Sequence, residues 1–217
     1  MKVLEVKKIS KSFNKIKILN NFSLDVKKGE IVSIIGPSGI GKSTLLRCIC
    51  GLEKIDEGEI IINENRLNTR KFKLANLAIG MVFQDYNLFP QYSILENITL
   101  PLIKVLKITK IEAVEIAKKI LLQIDLLDKI NMYPYQLSGG EKQRLAIART
   151  LAVNPKIICF DEPTSALDPE LVKQIFKIIK KLSNKGTAIL IVTHDIKFAN
   201  EISDKIVEIS RVGGIVV

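Results

Sequence analysis

Residues 36 to 44 read Gly36-Pro37-Ser38-Gly39-Ile40-Gly41-Lys42-Ser43-Thr44 and follow directly on the apolar run Ile31 to Ile35. The spacing fits G-x-x-x-x-G-K-[ST]. Glycine has no Cβ, so backbone N–H groups here can converge on phosphate oxygens that another side chain would hold away. A helix opening near Lys42 adds the positive end of its dipole. Lys42 is a point charge able to reach the outer phosphates of a nucleoside triphosphate, and Ser43 offers an oxygen ligand for Mg2+. The plain alternative is a glycine-rich turn, but from average residue frequencies a chance match is on the order of one per cent.

Two further stretches carry charge or bare backbone. Ile157-Ile158-Cys159-Phe160-Asp161-Glu162 is an apolar run ending in two carboxylates. A parallel strand would deliver both to its C-terminal edge, beside a phosphate loop. There Asp161 would hold Mg2+ through a water and Glu162 would orient or deprotonate an attacking water. Alone, such acids are as often a loop or a helix cap; with the phosphate loop present, that alternative recedes. Leu137-Ser138-Gly139-Gly140-Glu141 combines a helix cap with a capping box, Ser138 with Glu141 three residues on. Two consecutive glycines exceed what a cap needs and would leave a helix N-terminus bare as a second anion site. One chain has little use for two distant anion sites on one nucleotide, whereas two copies facing head to tail would use both.

The elements that must position these residues follow from hydrophobic periodicity. Residues 1–9 and 19–26 alternate as strands, with a turn at Lys28-Gly29, and Ile31 to Ile35 is a buried strand. Thr44 to Cys50 is predicted helical and ended by Gly51. Glu59 to Ile62 and Ile79 to Phe83 are predicted strands. From Ser93 to Ile130 the spacing turns helical, with Ala113, Ile116, Ala117, Ile120, Leu121 and Ile124 on one face, and Pro101 is expected to break it into two helices or more. Glu141 to Val153 is a helix, Ile157 to Phe160 a strand, Leu171 to Leu182 a helix and Ala188 to Val192 a strand. Lys205 to Ile209 and Ile215 to Val217 form a closing hairpin around Gly213-Gly214. Strands alternating with helices imply an α/β fold with a mostly parallel sheet covered on both faces. The helical middle is an insertion.

Of the 217 residues, 47% are apolar, enough for a sizeable core. The net charge is +10. The plain reading is a lysine-rich surface; the sharper one is a face toward anionic lipid or nucleic acid, and no lysine-arginine run decides it. Cys48, Cys50 and Cys159 lack a framework spacing, so a reducing, cytoplasmic compartment is expected rather than a disulfide scaffold. The N-terminus MKVLEVKKISKSF is charged throughout and unlike a signal peptide, and no run approaches the ~20 apolar residues of a membrane span. Any membrane role must come through a partner.

Together LSGGEKQR, GPSGIGKST and IICFDEP resemble the ATP-binding subunit of ABC transporters, essentially from end to end. The resemblance implies a P-loop NTPase core with an N-terminal antiparallel β subdomain over residues 1–84 and 155–217, and a helical subdomain with the signature motif over 85–154. It implies ATP held by Gly36 through Thr44, with Phe13 stacking on adenine. Mg2+ would be held by Ser43, Gln84 and Asp161, with Glu162, His194 and Gln84 serving catalysis. It further implies Ser138, Gly139, Gly140 and Gln143 touching the ATP of a second copy, and Asp168 in the D-loop Ser165-Ala166-Leu167-Asp168. Physical reasons stand beside these. His194, the only histidine, follows an apolar strand, where an imidazole could hydrogen-bond the γ-phosphate. Gln84 follows a strand where the helical insertion begins. Phe13 needs only its ring face to stack, though the plain alternative is a core aromatic on an edge strand.

Finer wording points further. GMVFQ-x-x-NLFP, ILENITLPLIKV and NPKIICFDEPTSALDPELV are similar to ATPases of polar amino acid importers of the glutamine and histidine type. The chain departs from the family at Ile40, expected to line the outside of the loop, at Asp85-Tyr86 after the glutamine, and at a C-terminus that stops at the closing hairpin. The resemblance implies a head-to-tail dimer at the cytoplasmic face of the plasma membrane, an integral-membrane permease resting near Gln84 to Glu96, and an indirect solute-binding partner. Rival expectations are a lipoprotein-releasing or efflux ATPase, and a soluble ABC ATPase acting on nucleic acid. The second usually carries two cassettes or long insertions, so nucleic acid is not expected as a partner.

Overall fold

The computed structural model describes residues 1–67, 78–165 and 167–209, with the backbone of 215–216. The Gly213-Gly214 turn, Val217 and Ala166 lie outside the described residues. Two sheets organise the chain. The first is antiparallel and holds β1 (Lys2–Phe13), β2 (Ile16–Lys27), β4 (Glu57–Ile62) and β5 (Asn65–Arg66), in the order β2-β1-β4-β5. The second holds β3 (Ile31–Ile35), β6 (Ile79–Val82), β7 (Ile157–Asp161), β8 (Ala188–Thr193), β9 (Lys205–Ile209) and β10 (Ile215–Val216), in the order β10-β9-β3-β8-β7-β6. Its strands β9, β3, β8, β7 and β6 run parallel, and β10 closes it antiparallel on β9. This is the expected α/β architecture.

The first hairpin runs longer than its periodicity predicts. Asn14 and Lys15 adopt φ of 47° and 67°, the left-handed pair that matches hairpin twist, so β1 extends through the polar stretch Ser10 to Phe13. Phe13 therefore sits at the hairpin tip on a central strand, not on an edge strand, and is 43% exposed.

The helices are α1 (Lys42–Ile49), α2 (Ile94–Lys104), α3 (Lys110–Gln123), α4 (Gly139–Ala152), α5 (Pro169–Asn184) and α6 (Ile196–Ile202). α1, α4 and α5 each begin two residues before their predicted starts, because their first turns are built from Gly, Lys, Ser and Pro rather than periodic apolar residues. Pro101 does not break the helix: it lies inside α2, and the chain leaves the helix only after Lys104. The missing Pro101 N–H is tolerated three residues from the helix end.

Three apolar clusters result. One joins the antiparallel sheet, α1 and one face of the parallel sheet through residues such as Leu4, Ile34, Leu46 and Leu190. A second covers the opposite face with α4, α5 and α6 through Phe160, Ile175, Ile191 and Phe198. A third packs α2, α3 and α4 through Ile94, Ile98, Leu121 and Leu145. Each fully buried Ile or Leu contributes roughly 1.5–3 kcal/mol of transfer free energy.

One buried polar residue fixes the path from β6 into α2. Asn97, fully buried, accepts the Phe89 amide at 2.9 Å and donates to the carbonyls of Phe89, Tyr92 and Ser93 at 3.1, 3.0 and 3.0 Å. Asn97→Ala strands these groups. It is expected to cost about 2–3 kcal/mol and lower Tm by roughly 5–10 °C in thermal melts.

Candidate active site

Parallel register collects the functional loops. Val82 pairs with Phe160, Asp161 with Val192, and Thr193 with Ile35. The loops after β6, β7, β8 and β3 therefore leave from one sheet edge, the C-terminal edge where open α/β sheets bind ligands. Glu162, His194 and Gly36 begin three of those loops, and Gln84 is the second residue of the fourth.

The glycine-rich loop is shaped by close approach. Gly41 has φ 110°, and a Cβ there would lie 2.7 Å from Ile18 Cγ2. A Cβ on Gly36 would lie 2.9 Å from the Ile209 carbonyl oxygen. Ile40, expected on the outside of the loop, packs instead against the first apolar cluster. Gly41 caps α1 without any side-chain hydrogen bond, and the first turn holds no acid. α2, α3, α4, α5 and α6 all carry side-chain caps, from Ser93, Thr109, Ser138, Asp168 and Asp195. The positive end of α1 is thus the one left bare among the described helices, and it faces the loop.

Charged and hydroxyl groups meet behind this loop. The Lys42 ammonium, 6% exposed, donates to the carbonyls of Gly36 at 2.7 Å and Pro37 at 3.1 Å and lies 3.9 Å from Glu162 Oε1. Ser43 Oγ donates to Asp161 Oδ1 at 2.9 Å. Burial pushes the Asp161 carboxyl above its ordinary value, with the Ser43 hydrogen bond pulling the other way. A hydroxyl and a carboxylate converging in this way offer oxygen ligands only, the set that suits a hard divalent cation.

Glu162 is held in the left-handed region at φ 48°, rare for a residue with a Cβ. Its amide donates to the Val192 carbonyl at 2.9 Å. Its Oε2 accepts from Thr193 Oγ1 at 3.1 Å and the His194 amide at 3.3 Å, and His194 Nδ1 lies 2.9 Å from it. The site therefore contains a largely shielded carboxylate beside an exposed imidazole, with a lysine opposite.

Gln84 is exposed beyond β6. The residues after it are firmly held: Tyr86 and Asn87 have φ of 61° and 46°, and the Arg149 guanidinium donates to their carbonyls at 3.0 and 2.6 Å. Arg149 also lies 5.3 Å from the Phe89 ring centre. On β1 of the antiparallel sheet Lys11 Nζ covers the Phe13 ring at 4.7 Å. Asp168 caps α5, accepting the amides of Glu170 and Leu171 at 3.0 and 2.9 Å.

The signature stretch lies apart. Among the described residues no hydrogen bond or ion pair joins residues 138–140 to residues 36–44. The N-terminus of α4 is not bare, contrary to expectation: the full capping box forms, with the Ser138 amide donating to Glu141 Oε2 at 2.8 Å and the Glu141 amide to Ser138 Oγ at 3.4 Å. Gly140 has a reason within the chain, since a Cβ there would lie 2.6 Å from Leu171 Cδ2. Gly139 has less: a Cβ would meet Tyr86 Oη at 3.5 Å and Leu167 Cδ2 at 3.9 Å, both ordinary contacts. Gln143, expected to reach a second copy, is instead 2% exposed with its amide nitrogen unpartnered, because its position on α4 turns it inward.

Residues 19–165 match the model of the ABC transporter family. The chain belongs to that family. It is 47% identical over 201 residues to the glutamine transport ATP-binding protein GlnQ of Geobacillus stearothermophilus, covering 92% of this chain and 83% of that one. It is also 47% identical over 206 residues to the arginine transport ATP-binding protein ArtM of Bacillus subtilis, covering 94% and 86%. Its fold is similar to the dimeric structure of a post-hydrolysis state of the ATP-binding cassette MJ0796 bound to ADP and Pi, with TM-score 0.86, 38% identity and coverage of 98% and 96%. Three residues of this ABC ATPase escaped motif reading. Thr193 was signalled only by a hydroxyl ending an apolar strand, Asn97 by an amide within an apolar helix, and Arg149 by nothing local.

Glu141 links the cap to the loop before it. Its carboxyl is held down to about 2, first by Lys129 Nζ and then by the Ser138 amide. A depressed folded-state value gives stability that is fully present above the ordinary carboxylate range and lost as pH falls toward 2. Glu141→Gln is expected to be about 1–3 kcal/mol less stable at pH 7. In thermal melts the gap from wild type should narrow as pH drops from 5 to about 2; a gap independent of pH contradicts the charge assignment.

Proposed function

We propose that the chain is the ATP-hydrolysing subunit of an importer of a polar amino acid, glutamine-like in class. The observation carrying this reading is the single sheet edge that gathers an uncapped helix N-terminus, a hydroxyl–carboxylate pair and a carboxylate–imidazole pair. The glutamine and arginine transport names of relatives support the cargo class.

In this reading the amides of Gly36 to Thr44 cradle the phosphates of ATP, and Lys42 exchanges its bonds to the Gly36 and Pro37 carbonyls for phosphate oxygens. Ser43, Asp161 and Gln84 are the residues that would hold Mg2+, the last two in concert with water. The cation supplies neutralisation of negative charge on the phosphates. Phe13 offers a ring face to adenine. Glu162 takes a proton from water as its oxygen bonds to the γ-phosphorus, while the bond to the ADP oxygen breaks and its electron pair leaves with ADP. His194 steadies the γ-phosphoryl group.

Ser138, Gly139 and Gly140 would close the site of a second copy, a head-to-tail arrangement consistent with the lack of any described hydrogen bond or ion pair between the two motifs within one chain. Asp168 would stand at the same interface. ATP then favours the closed pair because its γ-phosphate contacts exist only there, and hydrolysis releases it. The permease would rest on the segment from Gln84 to Glu96, which Arg149 and Asn97 hold in shape, and would link indirectly to a solute-binding protein. Among the described residues no helix is long and apolar enough to cross a membrane, so attachment at the cytoplasmic face would be peripheral.

Two variants and one assay test this. Glu162→Gln should bind ATP, hydrolyse it roughly 10²–10⁴-fold more slowly, and accumulate as a dimer in light scattering; a monomer with normal turnover contradicts it. Ser138→Arg should abolish turnover while leaving ATP binding to the single chain intact. Copurification with a permease, followed by uptake of an amino acid panel, tests the cargo; no polar amino acid transported would overturn it.

A further inference from the structure

Glu162 is an unusual general base for its position. Its backbone stands in a disfavoured region, φ 48°, and its carboxylate must still face one water among several phosphate oxygens. Something must fix the side chain independently of the nucleotide. Oε2 accepts two hydrogen bonds, one from the His194 backbone amide; the His194 imidazole, 2.9 Å away, is 57% exposed and is required elsewhere once a γ-phosphate is bound. The only side-chain hydroxyl among them, that of Thr193, is fully buried and belongs to the last residue of β8.

The Thr193 hydroxyl is itself doubly constrained. It donates to Glu162 Oε2 at 3.1 Å and accepts the Asp195 amide at 3.0 Å. Asp195 in turn caps α6 by accepting the Phe198 amide at 2.9 Å. Because Asp195 N–H can only donate, the hydroxyl proton is directed at the carboxylate. β-Branching restricts χ1, and pairing opposite Ile35 seats the residue one step from the phosphate loop. With Oε2 anchored, Oε1 is the oxygen left toward Lys42 and the loop.

We propose that Thr193 is the positioning residue of the general base: its hydroxyl anchors one oxygen of Glu162 and leaves the other facing the attacking water. The inference rests on the assignment of Glu162 given under the proposed function. Thr193 would reach the reacting groups only through Glu162. It acts through Glu162, and its anchor persists when His194 turns to the nucleotide.

The experiment is steady-state ATP turnover by the full chain, with melting temperature and ATP affinity measured alongside. Thr193→Val removes the hydroxyl and little else, and kcat should fall about tenfold to hundredfold, as for a lost hydrogen bond to a charged group, with KM within about twofold. Thr193→Ser keeps the hydroxyl and should stay within about threefold of wild type. In the Glu162→Gln background, Thr193→Val should change the residual rate by less than about twofold, because the group it positions is gone. A valine variant with wild-type kcat, an equal loss in both backgrounds, or a folded serine variant without turnover overturns the proposal. Should the valine variant melt below the assay temperature, Thr193→Ala replaces it with the same expectations. A wild type that turns over no ATP removes the underlying reading as well, whereas an active wild type with an indifferent valine variant removes this one alone.

Discussion

The pairing of four parallel strands in register is the constraint on which the site depends. β6, β7, β8 and β3 end within two residues of one another, so each loop starts at the same edge with its own chemistry. A shift of one residue in any pair would move its alternating side chains to the other face and drag its loop along the edge. The fully buried faces of β7 and β8 forbid that shift. Ile157 to Asp161 and Ala188 to Thr193 are buried at every position, with apolar clusters above and below. Hydrophobic burial therefore sets the distances on which the polar chemistry relies.

Helix capping shows the same division between what is completed inside the chain and what is left open. Five helices satisfy their first amides with their own side chains. α1 does not, and glycine at its cap lets the loop pass within contact of Ile18. An unsatisfied helix end is a cost in a structure that could have had a serine there, and an anion at that end recovers it. The signature helix is the instructive contrast, because its cap is complete. Its first amides are met by Ser138 and Glu141 rather than left unmet.

Electrostatics at the edge are mutually satisfied in the chain alone. Lys42 rests on two carbonyls near Glu162, Ser43 rests on Asp161, and Glu162 rests on Thr193 and His194. Buried charges need such partners, since an isolated one costs several kcal/mol. Lys42 and Ser43 supply the donors in these contacts, and carbonyl and carboxylate oxygens accept them.

The strand–helix alternation and the stretches that meet at the sheet edge were legible from residue types alone, because glycines near a lysine, acids after an apolar run and 3.6-residue periodicity each have a local physical cause. The family likewise followed from those stretches. Tertiary structure alone decided the rest. It carried β1 on to Phe13 through a left-handed Asn14-Lys15 turn, and it kept Pro101 inside α2. It turned Gln143 inward, gave Gly140 a neighbour in Leu171, and placed Thr193 against Glu162, thirty-one positions away in the chain. Those outcomes depend on which faces meet when helices pack and strands align, and such meetings are set by the summed burial of residues distant in sequence, which no local pattern contains.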